Sequence, residues 1–356
     1  MASFLAASFL VGCADSQNGG EVTPSNRRII LLTNGNSPYW DAFAAGANEA
    51  GAKLDVGKEG LQVVVDRGDF SPEVQLDKLR QYQGATDIAA VAICVTDPKN
   101  QALVNELAAL SDSGVKLITV DSDIDRNNPK ARKARFAYLG TDNLAAGKEL
   151  GKAAKALKPE GANYATFVGV KSAANAIERI GGFAEGAGEG FTSLESMGDE
   201  GKTDRAKKNV RDAIDRHDDL NMLVGIWSYN TPAMVDIVRE LGIRDKMAVV
   251  GFDADPPAIA AMAEGNLDVM LVQDPYQMGY EGVRLLKALL NDDQGTVKEI
   301  LPNLGQEDGD IVETGLKIVV PSADSPIKAE LFEEGTTFLT LDEFKEWLAK
   351  YNLTGS

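Results

Sequence analysis

The sequence predicts an α/β protein built from two doubly wound parallel-sheet domains. Three observations carry that expectation. Short apolar runs alternate with longer amphipathic segments from Arg27 onward, as strands alternating with helices do. The runs are apolar throughout rather than at every second residue, the pattern of strands covered on both faces. Roughly ten such runs occur, more than one compact open sheet of this class carries. A length of 356 residues fits the same division.

The strands are expected at Ile29–Thr33, Leu61–Asp66, Ile88–Val95, Val115–Val120 and Phe136–Leu139, then at Tyr164–Val168, Thr192–Met197, Met222–Trp227, Met247–Phe252 and Val269–Val272. Helical periodicity fills Tyr39–Leu54, Val74–Tyr82, Asn143–Leu157 and Thr231–Leu241 between them. Ahead of the first strand, residues 14–26 are rich in Gly, Ser, Asn and Pro and read as a tether with too little apolar surface to order itself. Leu10-Val11-Gly12-Cys13 closes an apolar stretch from Phe4 and reads as a bacterial lipobox. In that reading residues 1–13 are a lipoprotein signal ending at Cys13, which is lipidated and starts the mature chain, and the protein faces the periplasm or outer cell envelope on an acyl anchor. Residues 1–3 lack the usual Lys or Arg, which leaves a second reading, a cytoplasmic chain with a chance cysteine.

Composition narrows the function. A formal net charge of −18 argues against nucleic acid, whose phosphates need basic patches. No apolar run approaches the ~18–20 residues needed to span a bilayer. Cys94 lies in an apolar run and reads as a small buried hydrophobe, so with Cys13 lipidated no disulfide is expected. The single histidine, His217, excludes multi-histidine metal sites; neither metal nor cofactor is expected.

In doubly wound sheets ligands meet the carboxyl ends of the strands. The residues delivered there include Asn34, Tyr39 and Trp40, then Asp66 to Phe70, Asp121-Ser122-Asp123, Lys171 to Arg179, Trp227 to Asn230, Asp253-Ala254-Asp255 and Gln273-Asp274. Planar carboxylate, amide and guanidinium groups pair with vicinal hydroxyls, and flat rings stack on the C–H faces of a sugar. Such a rim is equipped to bind a polyol.

Five motifs in order then carry a family resemblance: Asn36-Ser-Pro-Tyr-Trp40, Leu139-Gly-Thr-Asp-Asn143 with Gly147, Asn175-Ala-Ile-Glu-Arg179-Ile-Gly-Gly-Phe183, Val250-Gly-Phe-Asp253, and Val272-Gln-Asp-Pro-Tyr-Gln-Met-Gly279. Over about residues 27–290 the chain resembles the type I periplasmic solute-binding proteins of ABC sugar importers, close to the ribose- and galactose-binding group. The resemblance implies a three-crossover hinge between the domains, near Gly140–Asp142, Phe252–Pro256 and Gln273–Pro275. It implies an N-terminal lobe of residues 27–141 plus 274–320, a C-terminal lobe of 142–273, and a C-terminal extension of 321–356 with a surface helix at Leu341–Tyr351. It also implies ligand-binding roles for Tyr39, Trp40, Asp121, Asn175, Arg179, Asp253 and Gln273. Trp227 joins them as a departure, standing where an asparagine is expected; Ser122 stands where ribose-type members have arginine. Both departures argue against ribose and for a more aromatic pocket.

Plainer readings stand beside these. Tyr39 and Trp40 also fit a core-facing helix start, Arg179 a brace for a neighbouring carboxylate such as Glu178, Trp227 a packing residue, and Asp253 a solvated strand end. Asp121 and Asp123 could form a two-carboxylate catalytic pair, but no further catalytic partner is identifiable. The function expected is therefore non-enzymatic: a monomeric lipoprotein that closes its hinge on a monosaccharide or related polyol and delivers it to an ABC permease. The alternative is a sensory binding protein presenting its ligand to a membrane receptor or kinase. A DNA-binding regulator with this core needs a helix-turn-helix of ~50–60 residues before the first strand, for which residues 1–26 offer no room.

Overall fold

The computed structural model describes residues 27–356; Cys13 with its lipobox and the 14–26 tether lie outside the described residues. The first pass of the chain runs β1 (Arg27–Leu32), α1 (Pro38–Lys53), β2 (Leu61–Asp66), α2 (Pro72–Gly84), β3 (Ile88–Ile93), α3 (Gln101–Asp112), β4 (Lys116–Val120), α4 (Pro129–Ala134) and β5 (Tyr138–Gly140). The second runs α5 (Asn143–Leu157), β6 (Ala162–Val168), α6 (Ala174–Ala187), β7 (Phe191–Gly198), α7 (Thr203–Arg216), β8 (Met222–Gly225), α8 (Asn230–Leu241), β9 (Ala248–Phe252), α9 (Pro256–Ala263) and β10 (Val269–Val272). The chain then makes α10 (Pro275–Leu290), α11 (Gln294–Ile300), β11 (Ile311–Glu313), β12 (Leu316–Val320), β13 (Thr336–Thr340) and α12 (Leu341–Lys350).

These strands form two sheets, ordered β11-β5-β4-β3-β1-β2 and β13-β12-β10-β9-β8-β6-β7. Within each, every pair is parallel except antiparallel β10 and β12. Alternation along β1 shows why both faces must be covered. Ile29 and Leu31 enter one core with α1 and α10, whereas Ile30 and Leu32 enter the opposite core with α2 and α3. Polar caps start the helices: Ser71, Asn100, Asn128 and Asp142 each accept a backbone N–H in the first turn that follows.

The lobes exchange chain at three places, and one of them is not where the expected hinge put it. The first crossover is at Thr141–Asp142, between β5 and α5. The expected crossing at Phe252–Pro256 does not occur: that turn leads into α9, and β10 pairs with β9 in the same sheet. Gln273–Asp274 makes the second crossing, because α10 packs on α1 and on β3, β4 and β5. The third is at Thr314–Gly315, where β11 leaves β5 and β12 joins β10. The N-terminal lobe therefore takes 27–141 and about 275–313, not 274–320. Nor is 321–356 an appendage: β13 extends the C-terminal sheet, and Leu341, Phe344 and Leu348 of α12 enter its core.

Candidate ligand-binding cleft

The pseudo-twofold relation of the sheets brings equivalent strand ends face to face. Asp121 follows β4, and Asp253 follows β9, its counterpart in sheet order. Both hold a left-handed backbone, with φ of 59° and 63°, a conformation that aspartate tolerates better than most residues. Thr141 and Gln273 follow the next pair, β5 and β10, and the Thr141 hydroxyl donates to Gln273 Oε1 at 2.9 Å. Two crossovers are thus pinned to one another at the floor of the cleft.

Each expected site residue has a definite place. Tyr39, in the first turn of α1, donates its hydroxyl to Asp121 Oδ1 at 2.7 Å. Burial, and then the Asp121 charge, hold that phenol well above its ordinary pKa, so it remains a donor. Trp40 points instead into the N-terminal core, edge-on to both Tyr39 and Phe43, at 5.0 Å and 5.3 Å between ring centres. Cys94 is buried and donates its thiol to Asp121 Oδ2 at 3.2 Å, a polar role beyond that of a small hydrophobe. Tyr138 donates to the Asp121 carbonyl at 3.0 Å.

Across the cleft, Gln273 Nε2 donates to Asp253 Oδ1 at 2.9 Å. Desolvation pushes Asp253 up to about 7, against the opposing pull of Arg179 and the Gln273 amide, with Asp255 and Asp121 adding repulsion. Gln273 thus bonds both Thr141, after β5, and Asp253, after β9, and joins the strand ends of the two lobes.

Arg179 is almost fully buried in α6. Its Nε donates to Asn143 Oδ1 at 2.9 Å and its Nη1 to the Ile226 carbonyl at 3.1 Å, and its guanidinium lies 4.5 Å from the centre of the Phe252 ring. It is braced by an amide and a carbonyl, not by Glu178. The helix carrying it lies against α5 closely enough that a Cβ on Gly182 would sit 2.2 Å from the Leu144 carbonyl.

Trp227 follows β8, and its indole N–H donates to Asn175 Oδ1 at 3.3 Å. The ring covers Gly169, where a Cβ would lie 2.0 Å from Trp227 Cζ3. Behind it, Asn230 accepts the Trp227 backbone N–H and donates to Asp199, which also takes the Tyr229 hydroxyl. The indole is therefore held from its edge, its underside and its backbone.

Two residues escaped the expected set. Phe70, with φ of 65°, lays its ring over Gly35 and is 58% exposed at the N-terminal rim. Its place after β2 was a signal, but its orientation depends on the Phe70 N–H bond to the Asn34 carbonyl. Asp255 is buried, its pKa is raised by that burial, and its Oδ1 has no hydrogen-bond partner. It precedes Pro256 and Pro257, which lack the N–H groups of the first turn, and its side chain makes no cap bond.

Asp123 does not share a site with Asp121. Arg135 clamps it at 2.7 and 2.8 Å, and Arg126 and Thr119 add further bonds. A carboxylate so neutralised has no free oxygen for acid–base work with its neighbour. Among the described residues no helix is long and apolar enough to cross a membrane.

Residues 29–294 match the sequence profile described as a periplasmic binding protein domain. A fructose import binding protein, FruE of Bifidobacterium longum, is 22% identical over 295 residues, covering 80% of this chain and 86% of its own. The ribose import binding protein RbsB of Salmonella typhimurium is 22% identical over 272 residues, covering 76% and 86%. A solute-binding protein of an ABC transporter from Burkholderia graminis, solved with D-arabinose, superposes with a TM-score of 0.71 at 23% identity, covering 83% of this chain and 96% of that one. With three-quarters of its length matched and the lobes, crossovers and facing strand ends in place, the chain belongs to the periplasmic binding protein family.

Proposed function

We propose that this protein is the substrate-binding component of an ABC importer, closing its two lobes on a monosaccharide or related polyol. The observation that carries the reading is the pair of equivalent strand ends Asp121 and Asp253, one from each lobe, with Tyr39 bonded to the first, Gln273 bonded to the second and to Thr141 across the crossovers, and Arg179 and Trp227 held in the same lobe as Asp253. Carboxylates accept from vicinal hydroxyls, the guanidinium and amide add directed donors, and a ring held flat offers a stacking face. A ligand touching both lobes stabilises the closed arrangement by its differential affinity for it. The fructose and ribose import roles of the relatives, and the D-arabinose bound to the structural neighbour, support a sugar as the ligand class. Trp40 contributes by fixing Tyr39, and Asn175 by fixing Trp227.

The rest of the reading follows from that role. The protein works as a monomer in the periplasm or outer cell envelope, held to the membrane by lipid on Cys13, and hands its ligand to a permease. A thermal-shift screen against pentoses, hexoses, sugar alcohols and inositols tests it. A ligand at 100 times its dissociation constant stabilises the fold by about 2.7 kcal/mol, a shift of roughly 2 °C or more for a protein of this size. A hit that disappears in Asp253→Ala is the expected result. A flat response across the panel would remove the sugar reading.

A further inference from the structure

The segment after Val320 does more than complete the C-terminal sheet. One face of α12 enters the C-terminal core through Leu341, Phe344 and Leu348. Its other face reaches the opposite lobe. Tyr351 packs on Tyr276 of α10 with ring centres 4.3 Å apart, and Trp347 lies 5.5 Å from Tyr351. Lys317 of β12 sits over the Trp347 ring at 4.3 Å and bonds Asp274, in the second crossover, at 2.5 Å. Tyr276 in turn donates to Glu49 of α1. Glu49, Asp274, Tyr276, Trp347 and Tyr351 border a groove of about 500 Å³ between the lobes.

Past α12 the chain returns to the cleft. The Ser356 carbonyl accepts from the Ala254 N–H at 2.7 Å, and the Ser356 N–H donates back to the Ala254 carbonyl at 3.1 Å. Ala254 stands between Asp253 and Asp255. The Ser356 hydroxyl reaches the Gln273 carbonyl at 3.4 Å. One segment therefore touches the N-terminal lobe, the second crossover and the backbone that carries the C-terminal aspartates.

We infer that α12 and the residues after it form a strap across the hinge that favours the facing arrangement of the lobes, with Tyr351 as its positioning residue and Tyr276 as the seat. The effect comes from where the contact lies. Tyr276 stands two residues past the Gln273–Asp274 crossover and is tied to Glu49 of α1, so Tyr351 of the C-terminal lobe packs on the N-terminal lobe directly beside the hinge. The two rings belong to different lobes, so a rotation about the crossovers turns one against the other and disturbs their packing. The strap thus holds a larger fraction of the ligand-free protein in the binding-competent form, and apparent affinity follows that fraction.

The test compares Tyr351→Ala, Tyr276→Ala, the double variant and Tyr351→Phe in the full chain. Small-angle X-ray scattering of the sugar-free protein reads the lobe arrangement; titration calorimetry with the sugar found by the screen reads affinity. The affinity readout rests on the cleft-binding reading, whereas the scattering readout does not. Tyr351→Ala should enlarge the radius of gyration and weaken binding about 2- to 10-fold, the range for loss of one aromatic pair. Tyr276→Ala should do the same, the double variant no more, and Tyr351→Phe neither, because the ring is what packs. An unchanged radius of gyration in Tyr351→Ala overturns the strap, as does additive behaviour of the two alanines. If no sugar binds the unaltered protein, the cleft reading fails while the scattering still decides the strap.

Discussion

Asp121 and Asp253 occupy equivalent positions in the two lobes, with the same left-handed backbone, yet their carboxylates are treated differently. Asp121 accepts a bond on each oxygen from its own lobe, from Tyr39 at 2.7 Å and Cys94 at 3.2 Å. Asp253 has the Gln273 amide on one oxygen, and acidic neighbours with it in the same buried space. Burial raises it to about 7. The N-terminal face is thus internally satisfied, whereas the C-terminal face keeps a carboxylate short of partners, which the proposed function assigns to ligand hydroxyls.

The largest expected effect is on binding at the under-paired side. Asp253→Ala should lower sugar affinity at least ~100-fold, about 3 kcal/mol, the range for losing hydrogen bonds to a charged group. Calorimetry checks it, and a loss below tenfold would break the asymmetry.

Next comes the pH dependence of the sugar-free fold. The folded protein raises the Asp253 pKa to about 7, so between ordinary carboxylate values and 7 it holds more protons than the unfolded chain. That contribution to stability is present at low pH and is lost as pH rises through 7. Asp253→Asn removes it, so urea unfolding should show a flatter pH profile and a variant more stable than the parent at pH 8, by on the order of 1 kcal/mol or more. Parallel profiles would contradict the account.

Asp121 should behave oppositely. Asp121→Ala leaves the buried Tyr39 hydroxyl without its carboxylate acceptor and should destabilise the fold by ~1–3 kcal/mol. A stabilised Asp121→Ala would show that the two aspartates are alike after all. The smallest effect belongs to the rim: Phe70→Ala should weaken binding about threefold to tenfold, the loss of one stacked ring, with little change in melting temperature. No change in affinity would place Phe70 outside the site.

The strength of each expectation tracks how local its cause is. Strands buried on both faces, such as Ile88–Ile93 and Ala248–Phe252, were legible because every residue in them is apolar or small. The helix Asn143–Leu157 was legible to the residue through its period, and the structure adds the Asp142 cap that starts it. The hinge was less so. Ile311–Glu313 and Leu316–Val320 stand two residues apart and belong to different lobes, which depends on which sheet edge lies open, not on the residues themselves. The candidate site followed the same rule. Strand-end position located Asp121, Asp253 and Gln273, but not which neighbour each would meet. Trp40 went to the core because it lies one residue, about 100° of helix, beyond Tyr39. The thiol of Cys94 on Asp121 joins residues far apart in sequence, and nothing in an apolar run announces it.

The most direct test of the central claim is the proton count on binding. Titration calorimetry at pH 7 in two buffers of different ionisation enthalpy, with the best sugar of the screen, measures it. With Asp253 raised to about 7 and so partly protonated before binding and ionised once hydroxyls donate to it, the account predicts release of a fraction of a proton, abolished in Asp253→Asn. Binding of equal affinity and zero proton release in both proteins would contradict it.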